Sequence, residues 1–186
     1  MQEYLRKSLK TGHIICISEG SAEEVVIKKL FNGGKLIFKS EDSLIRDFSR
    51  TRKGTKFAKE HLHLDYGDEH INILRILDSK SERFNLGKVY EERVESGEIR
   101  VFDILTRPEI EMLIVISEGY YDNFTNKGSG QKPSIYCKNE LNMKEVKSEK
   151  FVSSYFYDVD KLVKSIQGYK RLHGERDEYC LFDLLD

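Results

Sequence analysis

Acidic side chains follow three apolar runs of the chain, and their type and position could support metal-dependent chemistry. Glu19 follows HIICIS, Asp78 follows INILRIL, and Glu111 comes shortly after IRVFDIL. If these runs are parallel strands, their carboxyl ends share one edge of a sheet, where carboxylates repel one another unless a cation lies among them. Hard oxygen ligands suit Mg²⁺ or Mn²⁺, which can activate water and stabilise charge on a phosphate. We therefore predict a metal site at this edge, with Glu19, Glu23, Asp78 and Glu82 as ligands.

A simpler explanation exists for most of these acidic residues taken singly. The chain has 32 Asp and Glu residues, so some fall near strand ends by chance. Glu23, Glu109 and Glu111 also lie where the first turn of a helix favours anions. Glu19 and Asp78 differ, because each directly follows a strand predicted to be buried, where a carboxylate needs a partner.

The elements that must position these residues alternate between strand and helix as far as residue 125. Strands are predicted over residues 13–18, 35–39, 71–77 and 99–105, and helices over residues 21–31, 89–95 and 106–124. Ser21 is the predicted cap of the first helix, and Thr106 and Pro108 are the predicted start of the third. Residues 40–66 fit a helical or irregular excursion. This order predicts an α/β fold, with a mainly parallel four-stranded sheet flanked by helices.

The rest of the chain carries helical patterns only, after a predicted flexible loop at residues 126–133. Two amphipathic stretches cover residues 143–156 and 158–173. We therefore predict an α/β domain over residues 1–125. Over residues 126–186 we predict a loop plus a C-terminal helical extension packed on the same domain. Because an apolar stripe needs a cover, this extension is also a candidate for docking or for homo-oligomer formation.

Composition places the chain among charged globular proteins. Its 186 residues suffice for one domain with a core of its own. Three cysteines cannot all pair within the chain, which favours free thiols in a reducing compartment. The polar N-terminus lacks the apolar core of a signal peptide, and no apolar run approaches the roughly 20 residues that a membrane span requires. We therefore predict a cytoplasmic protein with no membrane partner.

Contact with nucleic acid must come from local basic patches, because the net charge is only -1. The segment SRTRKGTKF carries four cations that could bind a phosphate backbone, although a solvated loop explains them slightly better. They are Arg50, Arg52, Lys53 and Lys56. A second basic excess lies over residues 127–150 and fits either a substrate-side lid or an interaction surface.

Three runs, taken in order, resemble the motifs of TOPRIM-type nucleases. ICISEGSAEE resembles the first motif, an apolar strand ending in Glu-Gly, and ILRILDSKSE resembles the second, which ends in Asp-x-Asp. LTRPEIEMLIV is similar to the Pro-x-x-Glu segment of RloB-like proteins, which stand beside the OLD-type and abortive-infection nucleases. The resemblance implies a small parallel sheet and Mg²⁺-dependent cutting of nucleic-acid strands, in phage defence or as a toxin-like effector.

The same resemblance assigns roles to individual residues. Glu19 would be the general acid/base or a metal-linked carboxylate, Asp78 a metal ligand and Glu111 a supporting acid. Lys80 stands where the family has its second Asp, and a cation cannot ligate Mg²⁺. Glu82 would then supply the ligand, or Lys80 would contact the scissile phosphate, or the site is degenerate. The chain has no GxxxxGK[ST] loop, so an ATPase of the kind that accompanies OLD-type nucleases would be a separate partner.

Two functions follow from these residues, and a third interpretation remains open. The first is a metal-dependent nuclease that acts on DNA or RNA. The second, which Lys80 supports, is a catalytically degenerate TOPRIM-like binding or regulatory subunit of a larger complex. The third is an unrelated α/β protein whose acidic residues lie on the surface, which a structure with Glu19 and Asp78 on different sides of the sheet would establish.

Overall fold

The described part of the sheet consists of three parallel strands. A computed structural model describes residues 2–39, 51, 53–63, 66–67, 69–78, 84–128, 130–173 and 177–186. Its strands are β1 (His13–Ser18), β2 (Ile71–Leu77) and β3 (Ile99–Leu105). β2 lies in the centre, and its first residue, Ile71, pairs with His13 of β1 and Ile99 of β3. The prediction of a parallel sheet is therefore confirmed.

The described helices flank this sheet, as predicted. They are α1 (Gln2–Leu9), α2 (Ser21–Asn32), α3 (Gly54–His61), α4 (Glu91–Glu95), α5 (Met112–Ser117), α6 (Tyr121–Asn123), α7 (Pro133–Glu140), α8 (Glu149–Tyr155) and α9 (Val159–His173). Turns of 3₁₀-helix cover Lys88–Tyr90 and Leu181–Leu184, and a π-helical turn covers Phe124–Gly128. None of these described helices is long and apolar enough to cross a membrane.

The predicted fourth strand at residues 35–39 is wrong. Leu36 forms an isolated antiparallel bridge with Leu185, and the N–H of Ile37 donates to the carbonyl of Leu184 at 3.0 Å. The apolar residues of this segment are buried in the main hydrophobic cluster. A short apolar run is typical both of a buried strand and of other buried segments. Here the run pairs with the last residues of the chain instead of joining the sheet.

The predicted helix over residues 106–124 begins later than expected. The hydroxyl of Thr106 donates to the last carbonyl of β2 at 3.4 Å, so this residue stays beside the sheet. The N–H of Arg107 donates to the hydroxyl of Tyr169 at 3.0 Å, and the same hydroxyl donates to the carbonyl of Arg107 at 2.9 Å. The peptide bond before Pro108 is cis. Because a first helical turn would use the carbonyl of Arg107 as an acceptor, and this carbonyl instead accepts from Tyr169, α5 begins only beyond this segment.

Two smaller predictions of local structure are also wrong. The N-cap of α2 is Gly20, which has no side chain to cap it, and Ser21 is already the first helical residue. The loop predicted at residues 126–133 contains the end of the π-helical turn, and α7 begins at Pro133. Proline suits this first helical position because its missing N–H needs no partner there.

Two hydrophobic clusters cover the two faces of the sheet. On one face, Ile14 of β1 and Leu74 of β2 join the main cluster, which also contains residues of α1, α2, α5 and α9. On the other face, Ile15 and Ile73 pack with Phe57 of α3. Every residue of β2 is buried, as expected for a central parallel strand with both faces covered. The helices that follow residue 126 therefore share one core with the strands.

The turn before β1 needs glycine, and this gives a first prediction. Gly12 has a φ of +78°, and a Cβ there would lie 2.3 Å from the carbonyl oxygen of His70. Gly34 also has a positive φ, +63°, but a Cβ there would have nothing within 4 Å. We expect Gly12→Ala to lower the free energy of unfolding by about 3 kcal/mol and Gly34→Ala by only about 1 kcal/mol. Urea unfolding of both variants checks this, and equal losses would contradict the close approach at Gly12.

Candidate functional site

Glu19 and Asp78 lie side by side at the carboxyl ends of β1 and β2. The N–H of Glu19 donates to the carbonyl of Ile76 at 3.2 Å, which continues the strand pairing by one residue. The carboxylate of Glu19 then accepts a hydrogen bond from the N–H of Asp78, also at 3.2 Å. The local order of an apolar strand followed at once by an acid thus places both residues at the same edge of the sheet.

Three more acidic residues reach this edge from the neighbouring elements. Glu23 lies in the first turn of α2 and is 6% exposed, and Glu109 and Glu111 lie between β3 and α5, each 3% exposed. Burial raises the pKa of Glu23, and the nearby carboxylate of Glu19 raises it further. Such deep burial is unusual for glutamates. A favourable position at the start of a helix therefore does not explain these residues, because a glutamate can occupy that position while exposed to solvent.

Asp78 and Glu111 have the most perturbed carboxyl groups at this edge. Burial raises the pKa of Asp78 to about 7, and the carboxylates of Glu23, Glu111, Glu19 and Glu109 add to the shift. Burial also raises the pKa of Glu111 to about 7. The charges of Glu109 and Glu23 raise this pKa as well, and the charge of Lys147 lowers it. Each of the other four carboxyl groups is therefore close enough to Asp78 to repel its charge.

Lys147 is a member of this site that the sequence did not single out. Its ammonium group lies 2.9 Å from the carboxylate of Glu109, which also accepts the N–H of Ser134 at 3.1 Å. Lys132 lies 3.6 Å from the same carboxylate. Burial alone would raise the pKa of Glu109, but the hydrogen bonds from Ser134 and Lys147 hold it below its ordinary value. In the sequence, the basic excess over residues 127–150 is the one feature that points to this segment.

The pKa of Lys147 is itself shifted by several of the carboxylates at this edge. Burial alone would lower the pKa of Lys147, but the hydrogen bond to Glu109 and the charges of Glu111, Glu109 and Asp78 raise it above its ordinary value. Lys147 therefore stays charged at neutral pH and offsets part of the repulsion among the carboxylates. It does so from a segment far along the chain, which folds back over the ends of the strands.

The chemistry of the donors suits a hard divalent cation, although the side chains are not already arranged around one. One carboxylate oxygen of Asp78, Oδ1, is buried and accepts no hydrogen bond from the described residues, so a cation would satisfy it. Among those same residues, no group of three acidic, histidine or cysteine side chains is placed to hold a metal. Binding would require these carboxylates to turn toward each other, or a ligand from elsewhere in the chain.

Four of the sequence-predicted site residues lie outside the described residues. They are Lys80, Glu82, Arg50 and Arg52. Of the remaining predicted nucleic-acid contacts, Lys53 directly precedes α3 and Lys56 lies in its first turns, and both are exposed. Lys56 lies 3.6 Å from Glu60 one turn further on. Exposed ion pairs of this type contribute little, so the pairing leaves Lys56 accessible to a ligand.

Comparison with known proteins identifies no relative of the chain. Models of protein families, curated proteins and solved structures were compared with the chain, and none of them matches it. Any function of the chain must therefore be inferred from the arrangement of side chains at the sheet edge.

Proposed function

We propose that the protein is a metal-dependent phosphodiesterase that cuts DNA or RNA, with Glu19, Asp78 and Glu111 as its core residues. The observation that carries this proposal is the gathering of five carboxyl groups at the carboxyl ends of parallel strands, two of them with a pKa of about 7. Burying carboxylates together costs free energy. Sites that bear such a cost are commonly those that bind a cation or transfer a proton.

The residues divide naturally between binding and proton transfer. Glu19, Glu23 and Asp78 would hold Mg²⁺ or Mn²⁺, with Glu82 as a further ligand. When bound there, such an ion would lower the pKa of a water molecule and stabilise charge on a phosphate. Glu111, buried and with a pKa of about 7, is matched to proton transfer near neutral pH. Lys147 would keep the group from becoming too negative to accept a phosphodiester.

The protein family, the cellular role and the partner of the chain are part of the same proposal. A TOPRIM-type nuclease would place its metal at this edge of a parallel sheet, as the motif resemblance implies. A role in phage defence or as a toxin-like effector, and a separate ATPase as partner, rest on that resemblance. Both presuppose the nuclease activity, so they can be tested only once that activity is established.

Cleavage assays on defined substrates test the proposal. The purified chain would be incubated with plasmid, single-stranded DNA and total RNA, with either Mg²⁺ or Mn²⁺. We expect metal-dependent cutting of one substrate class, and no cutting by Glu19→Ala or Asp78→Ala. Cutting that survives both substitutions would mean that the active site lies elsewhere.

A second candidate function is a subunit that binds or regulates without cutting. It is favoured by the absence, within the described residues, of a ready group of three metal ligands, and by Lys80 at the position of the family's second Asp. The two candidates differ in metal linkage. A ligand that binds only the folded state raises the melting temperature, so Mn²⁺ should stabilise a functional nuclease and leave a degenerate subunit unchanged.

A further inference from the structure

A basic groove lies where the end of α5 meets the outer face of α9. The cavity measures about 450 Å³, and among the described residues its charged lining consists of Lys161, Lys164 and Arg171 with a single acid, Asp158. The side chain of Asp158 is engaged locally, because it accepts the N–H of Asp160 at the start of α9 at 2.9 Å. This local excess of positive charge contrasts with a net charge of -1 for the whole chain.

The three cations share one face of a continuous helix. Lys161, Lys164 and Arg171 are separated by intervals of three and seven residues, which return to the same side of an α-helix. They span about 15 Å along the axis at 1.5 Å per residue. That length matches about four stacked nucleotides of one strand, each rising about 3.4 Å. The groove therefore offers a row of charges rather than a single anion pocket.

Two of these cations are available to a ligand. Lys164 and Arg171 are exposed, and neither has a carboxylate partner within 4.0 Å among the described residues. Asp160, one turn before Lys164, is paired with Lys35 at 2.8 Å, which lowers the pKa of Asp160, and the charge of Lys164 adds a smaller effect from outside ion-pair distance. Lys161 is partly engaged, since it lies 3.6 Å from the centre of the Tyr155 ring and 3.9 Å from Glu118.

The groove is also close to the candidate catalytic edge. Ile116 and Ser117, which line it, form the C-terminal end of α5, and Glu111 directly precedes that helix. Six residues of α-helix advance about 9 Å, so the length of α5 separates the groove from Glu111 by about three stacked nucleotides.

We propose that this groove binds the phosphodiester backbone of a single nucleic-acid strand and leads it toward the acidic edge. The proposal rests on the proposed nuclease function for its purpose, and on the row of cations for its ligand. Phosphate contacts of this kind fix position without reading sequence. The groove accordingly contributes affinity for DNA and RNA alike, and selection between them would arise elsewhere.

The salt dependence of binding tests the groove directly. Fluorescence anisotropy would be measured with labelled single-stranded DNA and with single-stranded RNA, in EDTA so that no cleavage occurs. For Lys164→Ala/Arg171→Ala we expect the negative slope of log affinity against log salt to become shallower by about 1.4, since each single-strand phosphate contact contributes about −0.7. At about 0.1 M salt this corresponds to roughly 25-fold weaker binding. Alanine favours helix, so the variant should fold, and circular dichroism would confirm it.

A matched control removes the same amount of charge elsewhere. Lys10→Ala/Lys88→Ala replaces two exposed lysines outside the groove and should leave both slope and affinity unchanged. An equal loss in both double variants would overturn the proposal, because it would show that only net charge matters. Full displacement of the oligonucleotide by tripolyphosphate at equal phosphate concentration would also overturn it, in favour of a small-anion site.

The experiment separates this proposal from the nuclease itself. Asp78→Asn, tested in the same assay, should bind at least as tightly as the wild type. Binding that depends on the groove in a protein that never cuts would keep the groove and reject the nuclease. Metal-dependent cutting with unchanged binding by Lys164→Ala/Arg171→Ala would keep the nuclease and reject the groove.

Discussion

Asp78→Asn is expected to stabilise the metal-free protein at alkaline pH while lowering cleavage about 10³-fold. The substitution keeps the shape of the side chain and removes its charge from a group of five carboxyls. Burial, with the neighbouring carboxylates, raises the pKa of Asp78 from 3.8 to about 7. An ionised Asp78 therefore disfavours the folded state, and Asn should relieve this by about 2 kcal/mol after a discount for partial exposure. Cleavage should fall by about 10³-fold, because a catalytic metal contributes several kcal/mol.

The stability effect has a defined pH window. Below about pH 4 the carboxyl group is protonated in both folded and unfolded states, so Asp and Asn should be equally stable. As the pH rises from about 4 to about 7, the unfolded chain releases its proton first and the wild type loses stability relative to the variant. Above about pH 7 the difference should stay constant. Denaturant unfolding in EDTA across this range measures it.

Two results would contradict this account of Asp78. The first is a variant that is less stable than the wild type at every pH, which would make Asp78 a structural hydrogen-bonding residue. The second is an equal gain from Asp122→Asn, a substitution at an exposed position of α6, which would reduce the effect to net charge. Addition of Mn²⁺ gives a further check, since it should stabilise the wild type more than Asp78→Asn.

Local sequence was sufficient to place the two central acids. Glu19 and Asp78 each follow a short β-branched apolar run, and that pattern specifies both the strand and the point where it ends. The helical stripe of α9 was equally readable, because its period repeats over four turns. These features depend on neighbours in sequence, so a single chain contains the necessary information.

Other parts of the fold depend on contacts that no local pattern contains. Residues 35–39 have the composition of a strand, but the pairing of Leu36 with Leu185 is decided by how the chain end returns. α1 was missed although Leu5 and Leu9, one turn apart, are fully buried, since charged residues surround them. The contact of Lys147 with Glu109 joins residues 38 positions apart, and its partner could have been any acid of the chain.

Lys147→Met is expected to destabilise the metal-free protein and to make it more responsive to Mn²⁺. Methionine retains the apolar stem but leaves the buried carboxylate of Glu109 with the N–H of Ser134 and the more distant Lys132. Removing one partner of a buried pair costs about 3–5 kcal/mol. Because half of the Lys147 side chain is exposed and water can replace part of its contact, we expect a loss of about 2 kcal/mol.

The expected gain with metal follows from the charge that the substitution removes. Lys147 offsets part of the repulsion among Glu109, Glu111 and Asp78. Without it, a divalent ion would enter a more negative site, so Mn²⁺ should raise the free energy of unfolding by more in Lys147→Met than in the wild type. Urea unfolding with EDTA and with MnCl₂ provides the four values required. Lys144→Met, at an exposed position of the same segment, should match the wild type in both conditions.

Combining Lys147→Met with Glu109→Gln distinguishes an interaction of Lys147 with Glu109 alone from its electrostatic effect on all the carboxyl groups. If the cation acts through Glu109, neutralising both residues should recover most of the lost stability, and the two substitutions should be non-additive by about 1–2 kcal/mol. If it acts on the whole acidic group, Glu109→Gln should recover little, and Mn²⁺ should still restore the double variant. A Lys147→Met protein that is as stable as the wild type in EDTA, and gains no more from Mn²⁺, would contradict both. The lysine would then be a surface residue beside the site, and the five carboxyl groups would have to tolerate one another without it.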